Sequence, residues 1–132
     1  MIKVRLAGFF REIETVRQTG DLPSIIEERN KITPAERRPI VKYLKAGECI
    51  VACGINSGDF FDPSRTRAAD PSLATDGDWV WPFATAYYVE RYGVGLPREF
   101  LDHMATNRWK PPKLSKADIS AVLGAWKEDQ EQ

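Results

Sequence analysis

The stretch T-D-G-D-W-V-W-P, residues 75–82, decides how the middle of this chain folds. The dipeptide Asp76-Gly77 is a strong short-range signal for a β-hairpin with a type I′ turn, because that turn needs positive φ angles at both of its central residues. The pattern therefore predicts that residues 73–75 form a strand that pairs with residues 78–81.

The two tryptophans of this stretch are expected to belong to the core. Side chains alternate between the two faces of a strand, so Trp79 and Trp81 share one face, while Asp78 and Val80 lie on the other. A tryptophan pair can also serve as a stacking platform for bases or sugars. Because this strand leads directly into an aromatic helical segment, residues 82–93, we interpret the pair as core.

The regions on either side of the hairpin are mainly helical. Residues 1–30 have two short apolar stripes, 7–16 and 22–30, separated by Thr-Gly-Asp at 19–21. The next helix is better marked, since Thr33 and Glu36 form a capping box around Pro34. Pro39 lacks a backbone N–H and is expected to kink or split this helix.

The apolar, β-branched segment 48–55 is predicted to be a strand, and the Gly-, Asp- and Pro-rich segment 56–72 to be a loop. Further helices are expected to start at Pro82, at Pro97 and after the cap Ser115, and the first of them should end at Gly93. The predicted fold is α+β, with a small antiparallel sheet of three to four strands packed against four to six helices. One domain is expected over 1–132, in which residues 1–47 are helical, residues 48–81 are β-rich and residues 82–132 are again helical.

Composition excludes several classes of function. The chain has 132 residues with 19 basic and 19 acidic side chains, which argues against a nucleic-acid binder that relies on bulk positive charge. It has no apolar run near the ~20 residues that cross a bilayer, and its start does not resemble a signal peptide. Cys49 and Cys53 would lie about 13 Å apart on one strand, too far for a disulfide. These features favour a cytoplasmic protein with two reduced core thiols.

Few residues are candidates for chemistry. Asp76 and Asp78 form a D-x-D pair that could hold Mg²⁺, but the surrounding sequence supplies no further ligands in an obvious pattern, and Asp76 has a simpler role in the turn. His103, the single histidine, has Glu99 four residues earlier as a possible helical partner and no nucleophile motif around it. We therefore predict no enzyme, no metal and no cofactor. An enzyme that uses Asp76, Asp78 and His103 is the remaining alternative.

A protein partner is the better expectation, and loop 56–72 is its predicted docking site. Residues 49–95 carry six acidic and three basic side chains, and long loops in compact domains are often functional. The two phenylalanines of the loop leave two arrangements open. In one, a ring anchors the loop in the core and the other ring forms an exposed contact; in the other, both rings point inward in a solvated loop. The predicted partner-binding residues are Asp59, Phe60, Phe61, Asp62, Asp70, Asp76 and Asp78.

Residues 74–104 resemble a pattern found in small bacterial proteins. In those proteins a strand of the form T-D-G-x-W-x-W-P leads into an aromatic helix of the form Y-Y-V-x-x-Y and then into L-P-x-x-F-L. The matching residues here are Thr75, Asp76, Gly77, Trp79, Trp81, Pro82, Tyr87, Tyr88, Val89, Tyr92, Leu96, Pro97, Phe100 and Leu101. The preceding segment 41–52 is similar to a helix–Gly–strand step in the same proteins.

Some proteins with this pattern resemble immunity proteins of secreted bacterial toxins. The resemblance implies a cytoplasmic protein that binds a cognate toxin domain and blocks it by occlusion, without catalysis and without direct contact with nucleic acid or membrane. If that toxin has a basic cleft, acidic loops would speed association. The alternative is a small regulatory or scaffolding domain that binds another protein.

Overall fold

The structure is a computed structural model, which describes residues 3–13 and 21–130. Over these residues a four-stranded sheet in the order β1-β4-β3-β2 is packed against five helices, so the predicted α+β class is confirmed. No helix among the described residues is long and apolar enough to cross a membrane. The elements are β1 (Arg5–Leu6), α1 (Ile25–Glu28), α2 (Pro34–Lys45), β2 (Glu48–Val51), β3 (Leu73–Thr75), β4 (Trp79–Pro82), α3 (Ala84–Tyr92), α4 (Arg98–Thr106) and α5 (Lys116–Gln130).

The predicted hairpin is formed by β3 and β4, with the second strand starting one residue later than expected. Its bend is built differently from the prediction. Gly77 has φ +103°, but neither Asp76 nor Asp78 has a positive φ, so the type I′ assignment is wrong. The Asp76 carboxylate instead accepts the backbone N–H groups of Asp78 and Trp79 at 3.0 and 2.8 Å, and these side-chain bonds hold the bend.

The alternation of β4 places the tryptophans and Val80 on opposite faces, as predicted, and each face packs in a separate core cluster. Trp79 and Trp81 lie in the main core, which α2, α3 and α4 cover, whereas Val80 packs in a second cluster with residues of α5. The indole of Trp81 is fully buried and donates to the carbonyl of Leu44 at 3.0 Å. Trp79 stacks on Phe100 with 4.8 Å between ring centroids. The core interpretation of both tryptophans is confirmed.

The N-terminal segment differs from its prediction. Residues 7–13 are not helical, and Arg5–Leu6 forms a strand that runs parallel to β4, which makes the sheet mixed instead of purely antiparallel. The free edge of β4 supplies partners for this strand, and Gly8 at φ +75° is incompatible with a helix. Of the second predicted helix, residues 22–30, only α1 is helical. The remainder of the first predicted helix and residues 19–20 of the predicted break lie outside the described residues.

Helix α2 starts as predicted. The Glu36 carboxylate accepts from the backbone N–H and the hydroxyl of Thr33 at 3.3 and 2.6 Å. Of the two outcomes predicted at Pro39, a kink or a split, the split does not occur, because buried side chains in the second half of the helix, such as Tyr43 and Leu44, hold it against the core. The helix ends at Lys45, and Gly47 then allows a close approach, since a Cβ there would lie 2.5 Å from the Trp81 ring.

Strand β2 covers only the first half of the predicted segment 48–55. Both cysteines are free thiols, but Cys49 is exposed and Cys53 half-buried, so their assignment to the core is wrong. The cause is the position of β2 at the edge of the sheet, with a register shift between Cys49 and Val51.

The C-terminal helices follow their start and stop signals, but the first of them begins later than predicted. Helix α3 begins two residues after Pro82, which is the last residue of β4, and ends at Gly93 with φ +62°. Helix α4 follows Pro97 and buries Phe100 and Met104.

Helix α5 follows Ser115, whose hydroxyl accepts the Asp118 N–H at 3.0 Å. Its Val122 and Trp126 pack on the second core cluster.

Candidate functional site

Loop 56–72 is tied to helix α3 by a buried carboxylate. Asp59 is only 4% exposed. One of its oxygens accepts the hydroxyls of Tyr87 and Tyr92 at 2.5 and 2.6 Å. The other accepts the backbone N–H groups of Phe61 and Asp62 at 2.7 and 3.1 Å. Asp59 therefore fixes the loop from the inside, and its carboxylate is not available for direct contact with a partner.

Backbone hydrogen bonds close the loop further. Ser57 and Ala69 exchange two bonds of 2.7 and 3.0 Å, and the Asp59 N–H donates to the carbonyl of Arg65 at 2.9 Å. A long connection without regular strands or helices is thus held in one conformation, which lowers the entropy that would be lost on binding.

The surroundings of Asp59 favour its charged form. Burial alone would raise the pKa of Asp59, but the hydrogen bonds from Tyr87, Tyr92 and the loop backbone outweigh it and lower the pKa below its usual 3.8. Burial and the neighbouring Asp59 carboxylate raise the pKa of Tyr87 to about 12. Arg91 lies 3.8 Å from Asp59 and adds a partly exposed ion pair.

The structure decides between the two arrangements that the sequence left open for the phenylalanines, and one ring is inward while the other is exposed. Phe61 packs on Tyr92, with 4.6 Å between ring centroids, and the guanidinium carbon of Arg29 lies over the Phe61 ring, 4.6 Å from its centroid. Phe60 is 40% exposed, while its backbone N–H donates to the Tyr88 hydroxyl at 3.0 Å. The loop therefore presents one aromatic side chain to solvent from a backbone that is held in place.

The other acidic residues of the loop are half-buried and partly engaged. The Asp62 carboxylate accepts the hydroxyl of Ser64 at 2.6 Å and lies 3.6 Å from Arg65. Asp70 accepts the N–H of Ser72 at 2.9 Å. With Asp59 and Asp76 buried, residues 49–95 present four acidic side chains against three arginines. The exposed surface of residues 49–95 is therefore less acidic than their sequence suggests.

Sequence reasoning missed Ile55, which is 78% exposed. It is the last residue of the segment that was predicted as a strand and lies directly before loop 56–72, and the strand prediction concealed its exposure. The available signal in the sequence was an isoleucine followed directly by a polar, glycine-containing stretch.

A second constellation forms where the β3–β4 bend meets helix α4. Asp76 is buried, whereas the side chain of Asp78 is 69% exposed. The Nε2 atom of His103 lies 3.2 Å from Oδ2 of Asp76 and 3.4 Å from Oδ2 of Asp78. Glu99, the helical partner considered from sequence, is not the group that the imidazole faces.

Two residues that sequence reasoning missed complete this cluster. The Tyr43 hydroxyl donates to Oδ2 of Asp76 at 2.6 Å, and the Asn107 amide donates to the Tyr43 oxygen at 2.9 Å. Burial and the Asp76 carboxylate raise the pKa of Tyr43 far above its usual value. Tyr43 and Asn107 had no signal in the sequence, because they are 33 and 31 residues away from Asp76 along the chain.

The structure thus separates the seven predicted partner-binding residues into two groups. Five belong to the loop, and Asp76 and Asp78 belong to the hairpin cluster. Comparison with protein families, with curated proteins and with solved structures gives no match for this chain.

Proposed function

We propose that this protein binds a cognate toxin domain and neutralises it by occlusion, as the resemblance of residues 74–104 to immunity-type proteins implies. The observation that carries the proposal is the rigid loop 56–72, which buries its own carboxylate and exposes Phe60. Binding hot spots are commonly aromatic side chains on surfaces that lose little entropy on association.

The loop changes the expected character of the contact. Because Asp59 is buried and Asp62 is partly neutralised by Arg65, electrostatic steering by this loop would be weak. Apolar contacts through Phe60 and Ile55 are the better source of affinity. Phe61 and Asp70 would support the loop from behind or at its margin.

The binding experiment uses the protein that the neighbouring gene encodes, provided that it is a secreted protein with a C-terminal toxin domain. Co-expression with this chain should abolish the growth inhibition that the toxin domain causes. Phe60→Ser should weaken binding about 30-fold, the equivalent of about 2 kcal/mol for a hot spot, and Ile55→Ser should weaken it less.

Ile26→Ser is the matched control, since Ile26 is 58% exposed but lies on α1 outside the loop. Equal affinity of the Phe60, Ile55 and Ile26 variants would place the interface elsewhere. Failure of the parent chain to bind or to protect would refute the toxin-neutralising function. It would then favour the alternative, a regulatory or scaffolding domain with another protein partner.

A further inference from the structure

The hairpin bend and helix α4 bring three potential metal ligands to one point. Asp76, Asp78 and His103 each offer one ligand atom, and these three atoms all lie within 4.8 Å of one another. The two distances from Nε2 of His103 to Oδ2 of Asp76 and to Oδ2 of Asp78 are 3.2 and 3.4 Å. Ligand atoms that are each about 2.1 Å from a metal ion are separated by roughly 3.0 Å at right angles and about 3.4 Å at tetrahedral angles. The two distances from Nε2 therefore suit a first-row divalent cation.

The ligand from Asp76 is held in position by the fold. Its Oδ1 accepts two backbone N–H groups of the bend, and its Oδ2 accepts the hydroxyl of Tyr43. A buried carboxylate fixed by three hydrogen bonds has a defined direction before any ion binds. Such supporting contacts orient ligands in established metal sites.

Two further side chains complete the surroundings of the three ligands. Tyr43 uses its single hydrogen on Asp76, and Asn107 donates to the Tyr43 oxygen while its amide nitrogen also lies 3.4 Å from Nε2 of His103. A hydrogen on Nε2 would lie between the imidazole and the two carboxylates, and a metal ion bound by the same three atoms takes the place of that hydrogen.

The negative charge of Asp76 also favours a bound cation. Asp76 is a buried carboxylate, and among residues 3–13 and 21–130 the basic side chain within ion-pair distance of it is His103, whose Nε2 lies 3.2 Å away. No lysine or arginine in these two ranges neutralises it. A buried charge needs a partner or a metal ion.

We propose that Asp76, Asp78 and His103 bind a divalent transition-metal ion, with Zn²⁺ as the representative ion, and that the exposed side of Asp78 leaves a coordination position for water. The imidazole ligand favours such ions over Mg²⁺ and Ca²⁺, which prefer oxygen ligands alone. The ion would join the β3–β4 bend to α4. This site does not depend on the proposed function, since loop 56–72 contributes no ligand to it.

The test is a titration of chelator-treated protein with ZnCl₂, followed by calorimetry and by thermal unfolding. It is done in a Cys49→Ser/Cys53→Ser background, so that thiols do not supply alternative ligands. One Zn²⁺ should bind per chain and raise the melting temperature by several degrees, while MgCl₂ should bind much more weakly. His103→Gln and Asp78→Asn should each weaken Zn²⁺ binding at least tenfold.

Asp102→Asn is the matched control, because Asp102 is an exposed carboxylate on the same helix that pairs with Arg98. It should leave Zn²⁺ affinity unchanged. The proposal is overturned if the parent binds no Zn²⁺, or if all three variants bind it equally. It is also overturned if His103→Gln lowers stability in chelator while Zn²⁺ has no effect on the parent, because the cluster is then a hydrogen-bonded histidine between two carboxylates.

Discussion

The role of Asp59 as the anchor of loop 56–72 can be tested with Asp59→Asn, which removes the charge and preserves the shape. An amide oxygen can keep the two backbone bonds from Phe61 and Asp62. The amide NH₂ then faces the hydroxyls of Tyr87 and Tyr92, which donate to Asp59 at 2.5 and 2.6 Å.

The magnitude follows from those two bonds. Hydrogen bonds to a charged group contribute about 1.5–3 kcal/mol each, so the gross loss is about 3–6 kcal/mol. The hydroxyls recover some of it by rotating to accept from the amide, and we expect the free energy of unfolding to fall by about 2–4 kcal/mol. For a chain of this length, that corresponds to a decrease in melting temperature on the order of 10 °C.

Asp62→Asn is the control, since the Asp62 side chain is partly exposed and is bonded only within its own turn of the loop. This substitution should lower the free energy of unfolding by less than about 1 kcal/mol. Urea denaturation measures both losses, and hydrogen exchange should show faster exchange of the Phe61 amide only in the Asp59 variant. Equal losses in the two variants would refute the anchoring argument.

The anchor also predicts a pH dependence. Burial would raise the pKa of Asp59, but the hydrogen bonds from Tyr87 and Tyr92 lower it to below the usual 3.8. A group whose pKa is lower in the folded state stabilises the fold above its unfolded pKa, and that contribution is lost as the pH falls through the folded value. The parent should therefore lose stability below about pH 4, and the Asp59→Asn variant should lose less over the same range. Parallel pH profiles would contradict this explanation.

The remaining predictions concern the core and one helix end. Trp81→Ala should lower the free energy of unfolding by about 3–5 kcal/mol, and Trp79→Ala by a similar amount, because both rings are buried in the main core; a variant that unfolds like the parent in urea would contradict this. Gly93→Ala should cost about 1–3 kcal/mol, since Gly93 has φ +62° and a Cβ there would lie 2.6 Å from the Ile32 carbonyl oxygen. Gly54→Ala is the control, because nothing lies within 4 Å of its Cβ position, and it should leave the urea midpoint nearly unchanged.

The sequence by itself determined the elements whose signals are local. The hairpin around Gly77, the start of α2 at Thr33, the end of α3 at Gly93 and the core face of Trp79 and Trp81 could all be predicted. Each of these follows from turn chemistry, capping or strand alternation within a few residues. The sequence left open whether Phe60 and Phe61 both point inward, and only the structure showed that Phe60 is exposed while Phe61 packs on Tyr92.

Only the tertiary structure decided which of these local elements meet. The pairing of Arg5–Leu6 with β4 depends on a free strand edge about 70 residues away, and that edge overrides the weak helical pattern of the segment. Asp59 becomes a buried anchor because α3 places Tyr87 and Tyr92, 28 and 33 residues later, against the loop. His103 reaches Asp76 for the same reason: contacts between distant residues are decided by which surfaces the fold buries together, and no short stretch of sequence contains that information.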